Sequence, residues 1–143
     1  MPDLTLTVLQ NNTLAPVLQA IATMGPWGSP KGRYVASKAS DHSLPPYEAH
    51  VARERKLIDR VSVKDEKGAT IFTPLGPGKF HYEVQPELRE EYEAELKDMN
   101  TGEVVLRGAR AITRAELGAL PITVEQERVL VSVGLLEDAE PLA

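Results

Sequence analysis

The chain has no cysteine, a single tryptophan and two phenylalanines among its 143 residues. Without cysteine there are no disulfides, no thiolate nucleophile and no cysteine-based zinc site, so packing alone must supply stability. So few aromatics leave little with which to build a base-stacking platform. No apolar run reaches the roughly 18 to 20 residues that a bilayer span requires, and "MPDLTLTV" lacks a basic segment followed by an apolar one. These absences predict a protein that is neither exported nor membrane-spanning.

Charge of one sign is in excess, with a formal net charge of -5, which disfavours nonspecific binding to nucleic acid. The charges are also segregated. Lys31 to Arg60 holds seven cations against four acids, whereas Gln85 to Asp98 holds six acids against two cations and Glu125 to Ala143 five against one. Such separation suits a surface that meets a partner of mixed charge. A set of ordinary solvated helix faces produces the same pattern.

Leu4, Leu6 and Val8 alternate with Thr5, Thr7 and Leu9, which predicts a half-buried strand ended by Asn11 and Asn12. A helix capped by Asn12 or Thr13 then places Leu14, Val17, Leu18, Ile21 and Ala22 on one stripe, with Pro16 in its first turn. Arg33 to Ser40 suits a further helix, and Pro45-Pro46 is expected to separate it from a long one carrying Tyr47, Val51, Leu57, Ile58 and Val61. "KDEKGAT" reads as a turn. Gly76, Pro77 and Gly78 interrupt regular structure before a short strand at Phe80 to Val84.

Pro86 starts a helix whose stripe is Leu88, Tyr92, Leu96 and Met99, and Glu103 to Ile112 is a second strand candidate. Thr113 with Glu116, and Thr123 with Gln126, have capping-box spacing. They predict a short helical turn ending at Gly118 and a last helix from Val124 to Val133, stopped by Gly134. The expected fold is α+β, a small antiparallel sheet packed with four to five helices. A single domain is expected over residues 1–134, with 135–143 as an acidic and apolar tail.

No constellation matches a catalytic centre. "MGPWGSPKGR" is rich in glycine, but Lys31 precedes Gly32, no Ser or Thr takes the metal position, and Pro26 and Pro30 remove amides that a phosphate cradle needs. It reads as a connector in which Trp27 packs on the core. His42, His50 and His81 lie far apart. His50 with Glu54 supplies two metal ligands where a catalytic zinc normally uses three. Glu90, Glu91, Glu93 and Glu95 lie off their helix's apolar stripe and read as its wet side. Neither a catalytic residue, a metal ligand nor a cofactor is assigned.

Two surfaces remain as partner-binding candidates: the basic one, with Arg33, Arg53, Lys56 and Arg60 beside Tyr34 and Lys38, and the tail, with Leu135, Leu136 and Leu142 among acids. The basic one is also the only support for direct nucleic-acid contact, and it reads as a subordinate possibility without sequence specificity.

The stretches "LQNNTLAPVLQAIATM", "VARERKLIDRVSVKDEKGA" and "FHYEVQPELREEYEAELKDMNTGEVVL" occur in an order that resembles a family of small tailed-phage proteins. The likeness covers roughly Leu4 to Leu106. In length, lack of cysteine and Leu/Val/Arg/Glu/Pro-rich style the chain is most similar to RNA polymerase-binding transcription regulators of phages that infect Thermus bacteria. That resemblance implies a protein of the host cytoplasm that binds host RNA polymerase holoenzyme at the β flap and sigma region 4. It further implies inhibition of -35-dependent promoters, sparing of extended -10 promoters, and antitermination. A virion or assembly component, and a small metal-dependent enzyme using His50, Glu54 and a carboxylate of the acidic helix, are the competing expectations.

Overall fold

The computed structural model describes residues 3–138. Strand β1 is Leu4–Thr7, followed by helices α1, Val8–Ala22, and α2, Pro30–Val61. A hairpin of β2, Thr73–Gly76, and β3, Lys79–His81, leads through a 3-10 turn at Pro86–Leu88 into α3, Arg89–Met99. Strand β4 is Glu103–Leu106, and α4, Arg114–Leu117, and α5, Val124–Ser132, complete the described chain. The fold is α+β, with two small antiparallel sheets, β1 with β4 and β2 with β3. The chain divides into two compact units: residues 1–47 with 102–143, and residues 48–101.

In the first unit, β1 pairs with β4 in the register Leu4 to Leu106 and Leu6 to Val104. This sends Leu6, Val104 and Leu106 into a core shared with Leu14, Leu18 and Ile21 of α1 and Leu130 of α5. The strand is shorter than its alternation predicts, and α1 begins at Val8, well before Asn12. The cause is a capping box that the alternation hides. Thr7 Oγ1 accepts the Gln10 amide at 3.1 Å while Gln10 Oε1 accepts the Thr7 amide at 2.9 Å. Asn11 is therefore a helical residue, not a stop, and it is buried. Its amide donates to the Ser43 carbonyl at 3.0 Å and its Oδ1 accepts from the Ser43 hydroxyl at 2.6 Å, which satisfies both side chains away from water.

That same contact bears on the proline pair. Helix α2 runs through Pro45 and Pro46 as one element, where a break is expected. The two rings remove the amides that would bond the carbonyls of Asp41 and His42. Proline's φ is nevertheless helical, so Pro45 serves the following turns as a first-turn residue would. On the preceding side, burial of Ala36, Ala39 and Ser43, together with the Asn11 bond to the Ser43 carbonyl, holds the backbone in place.

The second unit closes on a smaller core, in which Leu57 and Val61 of α2 meet Met99, Tyr92 and Leu96 of α3 along with Leu88. The α3 stripe read from sequence enters this core whole, whereas of the α2 stripe Leu57 and Val61 do so and Tyr47, Val51 and Ile58 do not. The "KDEKGAT" turn forms as expected. Asp65 Oδ1 accepts the amides of Lys67 and Ala69, and Gly68 takes the positive φ of 80° that the turn needs. Thr73 to Gly76, for which no strand is expected, forms the partner of Lys79–His81, and of the expected interruption at Gly76, Pro77 and Gly78 only Pro77 and Gly78 make the turn. Val84 lies beyond that strand and makes only an isolated bridge to Ser62.

Both C-terminal capping boxes form, on Thr113 and Thr123. The tail does not begin at Leu135. Leu135 and Leu136 are 1 % and 3 % exposed and belong to the first core. After Gly134 the chain turns back, the Ile112 amide donates to the Leu135 carbonyl at 2.8 Å, and the Glu137 amide donates to the Ile112 carbonyl at 2.9 Å. This pairing draws both leucines inward. Leu135→Ala is expected to destabilise the first unit by about 2–5 kcal/mol, measured as a lowered urea midpoint; a change within about 0.5 kcal/mol is what a frayed terminus would give.

Candidate functional site

The Gly/Pro stretch is a packed connector. Gly28 and Ser29 donate their amides to the carbonyls of Leu117 and Glu116, at 3.4 and 3.1 Å. Those amides cannot also cradle a phosphate. Gly28 passes against Gly118 so closely that a Cβ on Gly28 would collide with the Ala115 carbonyl and lie 2.9 Å from the Gly118 Cα. Trp27 packs against the core, as its composition suggests.

The predicted basic surface is largely engaged within the protein. Arg33 Nε donates to the Ala22 carbonyl at 3.1 Å, which satisfies an end carbonyl of α1. Arg53 meets Glu95 and Asp98 of α3 at 2.6 and 2.7 Å, and Arg60 meets Glu91 at 3.2 Å. Hydrogen bonds to Asp98 and Glu95 hold the Arg53 guanidinium above its usual pKa. Two arginines of α2 are thus offset by three carboxylates of α3. Of the four predicted cations, Arg33 and Lys56 form no ion pair among the described residues.

The other predicted residues are not assembled with these. Leu135 and Leu136 are buried, so they cannot meet a partner while the fold persists; Leu142 lies outside the described residues. His50 Nε2 faces Asn100 Oδ1 at 3.2 Å, and the acidic-helix carboxylates Glu95 and Asp98 are occupied by Arg53. Among the described residues no group of three or more His, Asp and Glu converges as metal ligands would, and no helix is long and apolar enough to cross a membrane.

What the sequence reading missed is the hairpin. Every residue from Ile71 to His81 is exposed, including Phe72 at 50 %, Leu75 at 66 % and Phe80 at 60 %. The rings of Phe72 and Phe80 pack edge-to-face with centroids 6.2 Å apart, and Phe72 meets Tyr82 at 6.4 Å. Tyr82 continues the row to Tyr92, with the two hydroxyls 2.8 Å apart. Burial, reinforced by that bond, pushes the Tyr82 hydroxyl above its usual pKa and keeps it neutral. The hairpin base is tied by the Ile71 amide to the Val63 carbonyl at 3.1 Å and by the Val63 amide to the Glu83 carbonyl at 2.8 Å. One signal was available: the only two phenylalanines flank "PLGPGK".

In the first unit the best-held ion pair is Arg110 with Glu116, a two-pronged contact at 2.7 and 2.6 Å. Glu116 Oε1 also accepts the Thr113 amide at 3.0 Å. The Arg110 hydrogen bonds, with that backbone amide, hold the Glu116 carboxyl at about 2, against an ordinary 4.5. A depressed folded-state pKa contributes stability that is complete above the unfolded value and lost as pH falls through the folded one. Glu116→Gln keeps the cap and removes the charge. It is expected to cost about 1–3 kcal/mol at pH 7, with the deficit narrowing as pH falls from about 4.5 towards 2, read from paired urea titrations.

No family model, curated protein or solved structure matches this chain.

Proposed function

We propose that this protein is a binding module, a phage-encoded transcription regulator that acts by occupying a surface of host RNA polymerase. The observation that supports binding is the hairpin in the second unit, where Ile71, Phe72, Leu75 and Phe80 are all 46 to 66 % exposed. Concentrated apolar exposure of this kind opposes solubility unless another surface covers it. Aromatic side chains on a tied hairpin carry large contact area and lose little conformational freedom on docking. The resemblance to phage regulators supplies the partner, holoenzyme engaged at the β flap and sigma region 4.

Regulation of this sort needs no covalent chemistry. A protein that prefers one docked arrangement of a sigma domain over another shifts promoter choice by its difference in affinity, and a few kcal/mol suffices. The charge segregation read from the sequence adds little to this reading, since Arg53 and Arg60 of α2 are engaged by Glu95, Asp98 and Glu91 of α3.

The full chain is expected to co-elute with Thermus RNA polymerase holoenzyme at moderate salt and to lower transcription from -35-dependent promoters. Phe72→Ser combined with Phe80→Ser should reduce co-elution at least about 10-fold, a loss of about 1.4 kcal/mol, without lowering the melting midpoint. Failure of the unaltered chain to co-elute, with promoter use unchanged at saturating dose, would overturn the proposal.

A further inference from the structure

The first unit carries a second surface that the hairpin reading does not use. A groove of about 620 Å³ lies between the start of α2 and the turn after β4. Its floor is apolar, formed by Val35, Ala39 and Ala109. Its rims carry cations: Lys31 and Lys38 from α2, and Arg107 from the turn. Among the described residues no carboxylate lines it.

These cations differ from the ones that α3 neutralises. Among the described residues, Lys31, Lys38 and Arg107 form no ion pair. Lys38 Nζ lies 5.6 Å from the centre of the Tyr34 ring, which keeps its charge at the groove mouth. Two acids are held beside it: Asp3 accepts the amide of Gly108, itself a lining residue, at 3.0 Å, and Glu116 holds Arg110, the fourth cation of the lining, so the cations still outnumber the acids. In a chain of net charge -5 this is a local concentration of unneutralised positive charge around an apolar trough.

We propose that this groove binds an acidic segment of a partner protein, with an apolar side chain seated on Val35 and Ala109 and carboxylates meeting Lys31, Lys38 and Arg107. Charge complementarity identifies the occupant. A lone anion would leave the apolar floor wet, and a purely apolar segment would leave three cations without counter-charge. A nucleic-acid strand would satisfy the cations, but it would find one exposed ring, Tyr34, and an overall negative protein around it.

The probe is a fluorescein-labelled ten-residue peptide of aspartate and glutamate with two central leucines, titrated with the full chain and read by anisotropy. Two further probes accompany it: the same peptide with amides replacing its acids, and a single-stranded oligonucleotide. Binding of the acidic peptide is expected to weaken about 5-fold in Lys31→Ala, Lys38→Ala and Arg107→Ala, and at least about 20-fold when Lys31→Ala and Lys38→Ala are combined. The amide peptide is expected to bind at least about 10-fold more weakly than the acidic one. All three positions are exposed, so melting midpoints should not move. The Phe72→Ser, Phe80→Ser variant should bind the peptide normally, which separates this inference from the hairpin proposal. Equal binding by the cation variants, absence of binding by the unaltered chain, or tighter binding of the oligonucleotide would overturn it. So would a dimer in sedimentation that the same substitutions dissolve, because the occupant would then be a second copy.

Discussion

The constraint on which the first unit depends is the antiparallel pairing of β1 with β4. It joins Leu4–Thr7 to Glu103–Leu106, so the ladder closes a loop that contains the whole second unit. Closing so long a loop costs conformational entropy, although that cost grows only slowly with length. Burial must offset it. Leu6, Val104 and Leu106 enter the core from the ladder, and α1, α4, α5 and the returning Leu135–Leu136 segment pack against them. The C-terminal leucines are therefore part of the closure, and both arms of the chain complete one core.

Electrostatics follow from the packing. The excess of cations on α2 and of acids on α3 reads, along the chain, like two opposing docking faces. Within the second unit Arg53 and Arg60 face Glu95, Asp98 and Glu91, so much of the separation is cancelled locally. Exposed pairs of this kind contribute about 0–1 kcal/mol each, and their larger effect is to remove charge from the outward field. Lys31, Lys38 and Arg107, which form no ion pair among the described residues, line one groove of the first unit, although their local sequence looks no different from the rest.

Each unit thus presents one surface whose own chain does not satisfy it. In the second unit it is apolar, a hairpin on which Phe72 and Phe80 remain half or more exposed. In the first it is a cationic trough with an apolar floor. The two chemistries are distinct.

The sequence by itself determined the elements whose signals are local. The capping boxes at Thr113 and Thr123 and the Asp65 turn rest on contacts within a few positions, and the α3 stripe, the α+β class and Trp27 as a packing residue are legible in local residue pattern. The early start of α1 is also legible locally, in the capping pair Thr7 and Gln10, which overrides the alternation. Only the tertiary structure decided the rest. Continuity of α2 through Pro45 and Pro46 is supported by Asn11, more than thirty positions away. Burial of Leu135 and Leu136 depends on Ile112, and the loss of Arg53 and Arg60 as free cations depends on α3. Local patterns record what a residue prefers, whereas exposure and pairing depend on which distant residue arrives beside it.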